Sequence, residues 1–213
     1  MVGVDEVGRG CWAGPLLIVA ARQIGPLPEG LRDSKLMTAK QREKMLDLLA
    51  PPKNLSGAVG NRIAEHQVFG PGLSNCCQFG EGWVEAREID AKGLASALRL
   101  GVARALKSLG AGPAERVVMD GKVNYLPKKF INGRAAIKAD SSVPIVSAAS
   151  IYAKVTRDKF MANLAKSYPL YHFEKHVGYG TKLHKAAIVS LGPIRSVHRF
   201  SYAPIAGVGE ALE

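Results

Sequence analysis

The sequence predicts an α/β protein built on a sheet of mixed strand direction. The first reason is local: "MVGVDE" (residues 1–6) and "GPLLIVAARQI" (residues 14–24) are short β-type runs separated by a glycine-rich stretch, the pattern of an antiparallel hairpin. Beyond residue 85, helical spacing alternates with short apolar runs that end in acids, the pattern of helix–strand units. Composition agrees, because 47% hydrophobic and 22% charged residues over a length of 213 suffice for one substantial core.

The elements follow in order. Thr38 with Gln41 three residues on is a capping-box signature, so a helix opens there with Met45, Leu48 and Leu49 on one side and Pro51-Pro52 as its stop. "LSGAVG" (55–60) reads as a third strand. Residues 61–84 are glycine-rich and without sustained period, and read as a loop insertion. From Glu85 to Leu109, Ile89, Leu94, Leu98, Val102 and Leu106 mark one helix that "GAGP" ends. "ERVVMDG" is a buried strand closing at Asp120, and "GRAAIKAD" a short strand closing at Asp140. "VPIVSAASIYAKVTRDKFMANLAKSY" is a long helix entered through Pro144, with small residues along one side. A polar loop, "PLYHFEKHVGYG", leads to a last helix, "TKLHKAAIVSLG".

Charge narrows the function classes. The formal net charge is +11, and its excess is uneven. Lys122, Lys128, Lys129, Arg134 and Lys138 follow one another without an acid, and nine basic residues between Ile151 and Ser201 meet only Asp158 and Glu174. Such stripes suit a polyanion, whose phosphates release counterions on binding. No apolar run is long enough for a membrane span, and Asp5 and Glu6 interrupt any leader-like pattern, so a cytoplasmic protein is expected. Cys11 alone and the adjacent pair Cys76-Cys77 match neither a disulfide framework nor a zinc site.

Asp5, Glu6, Asp120 and Asp140 share one context, the carboxyl ends of predicted strands, where sites gather in open α/β sheets. Neighbours on a strand face opposite ways, so the glycine-rich break after Glu6 would have to turn it back beside Asp5. Carboxylates crowded together repel unless divalent cations bind between them, and Mg²⁺ suits a few acids, waters and a substrate phosphate. The flanking glycines of Gly8-Arg9-Gly10 let backbone amides approach a ligand, although such a stretch is also an ordinary turn.

Beyond these readings the sequence resembles a known family. "DEVGRG", "DSKLMTAKQREKML", "VVMDG", "KADSSVPIVSAASIYAKVTRD", "HVGYGTKLH" and "HRFSYAP" occur in the order expected of bacterial ribonuclease HII, a type 2 ribonuclease H. The resemblance implies a ribonuclease H-like fold: a mixed five-stranded sheet with flanking helices over residues 1–168, and a small helical extension over 169–213 packed on the same domain. It implies Mg²⁺- or Mn²⁺-dependent hydrolysis of the RNA strand of RNA–DNA hybrids. It also implies incision 5′ of ribonucleotides embedded in duplex DNA, leaving 5′-phosphate and 3′-hydroxyl ends; a monomer is the default expectation.

Carried over by position, Asp5, Glu6, Asp120 and Asp140 are the metal-binding catalytic acids. Gly8, Arg9 and Gly10 form the loop that reads the 2′-hydroxyl, the one group that distinguishes RNA from DNA at a given sugar. Tyr179 is the aromatic that packs near the following deoxyribose. Lys35, Lys154 and Arg157 are further candidates for substrate phosphates, and "KVTRD" equally fits an i,i+4 ion-paired face with Asp158 as partner. His176 and His184 are candidates for contact with backbone phosphate or metal, although loop histidines usually do neither. Ala139, Tyr152 and Val177 depart from the family pattern, as does the long 61–84 connection. Two rivals remain from the residues alone: a non-catalytic basic nucleic-acid-binding protein and a DNA nuclease of the same fold class.

Overall fold

Each strand and helix was located in a computed structural model that describes residues 1–49 and 76–209. The N-terminal hairpin forms as its pattern predicts: β1 (Val2–Val7) pairs antiparallel with β2 (Leu16–Gln23), Asp5 opposite Val19 and Glu6 opposite Ile18. Helix α1 (Ala39–Leu49) starts at the predicted capping box, Gln41 N–H donating to Thr38 Oγ1 and Thr38 N–H to Gln41 Oε1. Met45 and Leu49 turn into the core, whereas Leu48 is exposed. The strand expected over 55–60 and most of the expected 61–84 loop lie outside the described residues.

The end of that loop is corrected. Cys77–Val84 is strand β3, antiparallel to β2 along its whole length. Its glycines are contact positions. A Cβ on Gly80 would lie 2.4 Å from the Ala105 carbonyl oxygen, and one on Gly82 2.0 Å from that of Gly101. Both carbonyls belong to the helix that crosses β3, so the glycines mark close backbone approach rather than irregular chain. Gly82→Ala is therefore expected to lower stability by more than about 2 kcal/mol, measured by urea unfolding, because neither backbone can yield alone. An unchanged midpoint would remove this account of β3.

The predicted 85–109 helix is two helices, α2 (Ala86–Lys92) and α3 (Leu94–Ser108), broken at Gly93, whose φ of +73° favours a residue without Cβ. Parallel strands β4 (Val117–Asp120) and β5 (Gly133–Ala136) complete a five-stranded sheet of order β3-β2-β1-β4-β5. Asp140 does not end a strand. It lies in a helical turn, α4 (Ala139–Ser142), entered through Lys138 in left-handed backbone at φ 56°. Residue 139 itself needs no glycine.

Val2, Val4, Leu16, Ile18, Val117 and Met119 face α3. Leu17, Val19 and Ala21 face α1 and the long α5 (Pro144–Ser167), whose Pro144 holds the first turn as predicted. The small residues of α5 bring it against β1, where a Cβ on Gly3 would meet the Ile145 backbone at 2.6 Å.

The expected polar loop after α5 is ordered and partly buried. A 3-10 turn (Pro169–Tyr171) and α6 (Phe173–His176) insert Tyr171 and Phe173 beside Met161, Ala13 and Val197. Helix α7 (Lys182–Leu191) follows, capped by Thr181, and a short α8 (Ala203–Gly209) replaces the expected end of helical structure.

Candidate active site

Where β1 and β4 end side by side, a cavity of about 250 Å³ opens, lined by Asp5, Glu6, Gly8, Arg9, Gly10, Ser34, Lys35, Asp120, Ser150, Lys154 and Tyr179 among others. Asp5 and Glu6 both reach it while remaining in β1, so no backward turn of Glu6 is needed: the cavity wraps the strand end. Asp5 is buried against α5. Burial pushes its carboxyl well above the ordinary range, the charge of Glu6 adds to this, and hydrogen bonds from Ser150 and the Glu6 amide oppose it. Glu6 is raised by burial as well, with Arg9 at 3.8 Å pulling the other way.

Asp120 accepts a 2.7 Å hydrogen bond from the Ala139 amide, which ties β4 to the turn bearing Asp140. Asp140 is anchored through its carbonyl by Ser147 and pairs with Lys35 at 3.2 Å, bringing that lysine to the rim. Ser34, Ser150 and Asp5 form a hydroxyl chain, Ser34 Oγ lying 2.9 Å from Ser150 Oγ. Ser147 and Ser150 escaped the sequence reading, although their i,i+3 spacing on the small-residue side of α5 was the available signal.

The donor set suits a divalent cation that brings its own waters. Among the described residues, no three His, Cys, Asp or Glu side chains come close enough to hold an ion by themselves. Yet Glu6 Oε2 is buried without a hydrogen-bond partner, and Asp5 is held in a mutually repelling, desolvated environment. Both conditions are relieved by positive charge, and Mg²⁺ completes its shell with water and phosphate oxygen rather than an all-protein cage.

The recognition candidates separate. Gly8 has φ +88°, and a Cβ there would lie 2.4 Å from Arg157 Nε, so packing demands glycine. Gly10 faces open space, leaving room for a ligand. Tyr179 is 41% exposed on the cavity rim. Lys154 also lines the cavity, but its ammonium is paired with Asp158 at 2.7 Å, the i,i+4 alternative.

Arg157 is corrected from phosphate contact to internal strut. It is wholly buried, and its guanidinium donates to the carbonyls of Pro15 (2.9 Å), Val177 (2.8 Å) and Ala13 (3.1 Å). Arg199, which the sequence reading passed over, acts likewise on Gly14 and Arg9, and the Tyr202 hydroxyl donates to the same Arg9 carbonyl at 2.7 Å. Of the pattern departures, Tyr152 stacks on Phe79 at 4.3 Å and donates to Glu81, packing α5 on β3. Val177 sits in left-handed backbone at φ 44°, its side chain partly buried against the cluster of Met161, Tyr171 and Phe173.

Known proteins resemble this chain. A family model described as ribonuclease HII matches residues 2–205. The ribonuclease HII of Streptomyces avermitilis is 40% identical over 204 residues, covering 95% of this chain and 76% of its own. In structure, the ribonuclease H2 of Pyrococcus horikoshii is similar with a TM-score of 0.68 at 24% identity, over 99% of this chain and 97% of that one. Bst-RNase HIII, solved in complex with Mn²⁺, is similar with a TM-score of 0.66 at 15% identity, over 100% of this chain and 70% of that one. These two share the fold. No described helix is long and apolar enough to cross a membrane. With the family model matching nearly the whole chain, the protein belongs to the ribonuclease HII family, endonucleases that cleave RNA in RNA–DNA hybrids.

Proposed function

We propose that this ribonuclease incises on the 5′ side of ribonucleotides embedded in duplex DNA as well as cutting RNA–DNA hybrids, leaving 5′-phosphate and 3′-hydroxyl ends, and that it works as a monomer. The observation that carries the reading is the convergence of Asp5, Glu6 and Asp120 on one cavity whose rim bears Arg9, Gly10 and Tyr179. Asp5, Glu6, Asp120 and Asp140 would hold two divalent cations, Mg²⁺ or Mn²⁺. Such ions supply the Lewis acidity that activates water and the charge that stabilises the leaving oxygen.

The chain's own groups do the rest. The backbone of Gly8-Arg9-Gly10 meets the 2′-hydroxyl, with Gly10 leaving the approach open and Arg9 adding charge beside the neighbouring phosphate. The Tyr179 ring packs against the next sugar, where a 2′-hydroxyl would crowd it, so deoxyribose is preferred there. Lys35, held near the site by Asp140, reaches a backbone phosphate. Residues 1–168 act as the catalytic body and 169–213 as an extension that delivers Tyr179.

A labelled DNA duplex containing one ribonucleotide, incubated with each cation in turn, tests this. Cleavage at a single position 5′ of the ribonucleotide is expected with either Mg²⁺ or Mn²⁺. Tyr179→Ala should lower the preference for this substrate over an all-RNA/DNA hybrid by about tenfold. An uncut duplex with both ions present would sink the reading, and cleavage of all-DNA duplex would favour the DNA-nuclease rival.

A further inference from the structure

Behind Tyr179, three histidines form a buried cluster that the cleavage chemistry does not use. His176, His184 and His198 are all buried, and the rings of His176 and His184 stack at 4.3 Å. Trp12, Tyr171 and Phe173 wall the group, with ring centroids 5.4 to 5.9 Å from one or another of its members. Burial pushes His184 and His198 down to about 4, so both rings are neutral near neutral pH.

A neutral imidazole has one donor and one acceptor, and backbone amides decide which is which. The Ile194 amide donates to His198 Nδ1 at 2.8 Å, so the His198 proton must be on Nε2. That Nε2 lies 3.2 Å from His184 Nε2, and only one of the two can donate, so His184 accepts there. The His184 proton is therefore on Nδ1, from which it donates to the Tyr179 carbonyl at 3.0 Å. His176 is set in the same way: it accepts from the Gly178 amide on Nδ1 and donates from Nε2 to the Tyr171 carbonyl. None of these three rings has a free choice of tautomer.

The relay ends on the segment that also meets the glycine loop. The Trp12 amide donates to the Gly178 carbonyl at 2.8 Å, and a Cβ on Gly180 would collide with the Trp12 ring at 2.1 Å. The Tyr179 backbone is thus gripped from both sides, with its amide donating to the His176 carbonyl and its carbonyl accepting from His184 and the Thr181 amide. We propose that His198 and His184 are positioning residues that transmit one hydrogen-bond direction from the Ile194 amide to the Tyr179 carbonyl, and so set where the Tyr179 ring stands at the RNA–DNA junction. This rests on the reading of Tyr179 given above. Its consequence is that junction selectivity, rather than cleavage as such, depends on a pair of rings that never touch substrate.

Two measurements test it separately. In the wild-type protein near pH 7, long-range proton–nitrogen NMR correlations should show His184 as the Nδ1–H tautomer and His198 and His176 as the Nε2–H tautomers. Any other assignment for His184 or His198 overturns the relay without reference to activity. Kinetically, selectivity is the ratio of kcat/KM on the single-ribonucleotide duplex to that on an all-RNA/DNA hybrid. His184→Gln retains a group near Nε2 but removes the donor to Tyr179, and should lower the ratio about tenfold, chiefly through kcat, with the hybrid rate within about threefold of wild type. His184→Asn, which keeps a donor near Nδ1, should restore most of it. A folded His184→Gln protein with the wild-type ratio, or with equal losses on both substrates, overturns the proposal. If Tyr179→Ala leaves the ratio unchanged while the tautomers are as stated, the reading of Tyr179 fails, and the relay fails as a selectivity device with it.

Discussion

Asp5→Asn is expected to abolish cleavage while making the fold more stable in the absence of cation. Asp5 is desolvated on the face of β1 that meets α5, and its charge is opposed by Glu6 and Asp120. Its folded-state pKa lies above the unfolded one, so the folded state holds the proton more tightly. The stability this contributes is fully present below the unfolded value, near 3.8, and is lost as pH rises through the raised folded value. As pH rises above the unfolded value the wild type therefore bears a growing penalty for this desolvated carboxyl, and the amide, which keeps an acceptor for the Glu6 N–H, does not.

A gain of roughly 1–3 kcal/mol is expected for the amide in chelator, seen as a higher Tm that converges with wild type as pH falls toward 4. Added Mg²⁺ should raise the wild-type Tm and leave the variant unmoved. Cleavage should fall by about 10³-fold or more, since a water-activating ion loses a ligand. At subsaturating cation, wild-type activity should also rise with pH, because protons on Asp5 and Glu6 compete with the ion. A variant that melts below wild type in chelator near pH 8 would refute the electrostatic account of this site.

Arg157→Met should cost about 3–5 kcal/mol, the second large effect, and should do so without substrate. Three carbonyls, from Pro15, Ala13 and Val177, depend on one buried guanidinium, and removing it leaves them without these donors inside the protein. Those carbonyls belong to the glycine loop and to the segment leading to Tyr179, so the arginine joins the two halves of the proposed junction reader. Lysine should rescue little, because a single ammonium cannot reproduce the planar fork. Urea unfolding gives the measurement. A phosphate contact would behave oppositely, with unchanged stability and a salt slope of binding shallower by about one; that result would return Arg157 to the substrate surface.

Arg157 shows where sequence reading ends. "KVTRD" displays helical spacing, and the Lys154–Asp158 pair follows from it, because residues four apart on a helix face are neighbours whatever surrounds them. Which way Arg157 points depends on the loop from residue 8 to 15 lying over α5, a contact between segments well over a hundred residues apart. The histidines depend on tertiary contact too, over shorter spans of chain. His184 is one residue of a helical stretch until Ile194, His198 and Tyr179 are brought to it. Residues 77–84 fail in the other direction. Gly80 and Gly82 read locally as loop, yet the segment is a strand because it pairs with β2 along its length, and glycine is needed there because α3 crosses too closely for any side chain.

By itself the sequence determined the N-terminal hairpin, the capped start of α1, the entry of α5 at Pro144, and the placing of Asp5, Glu6 and Asp120 at strand ends. These are properties of periodicity, capping and backbone preference, which act within a few residues. The tertiary structure decided that β3 is a strand, that Asp140 rides on a turn tied to Asp120, that Arg157 faces inward, and that the histidines stand behind Tyr179. Those outcomes are set by burial and hydrogen-bond satisfaction between separate elements, energies that have no value until the elements meet.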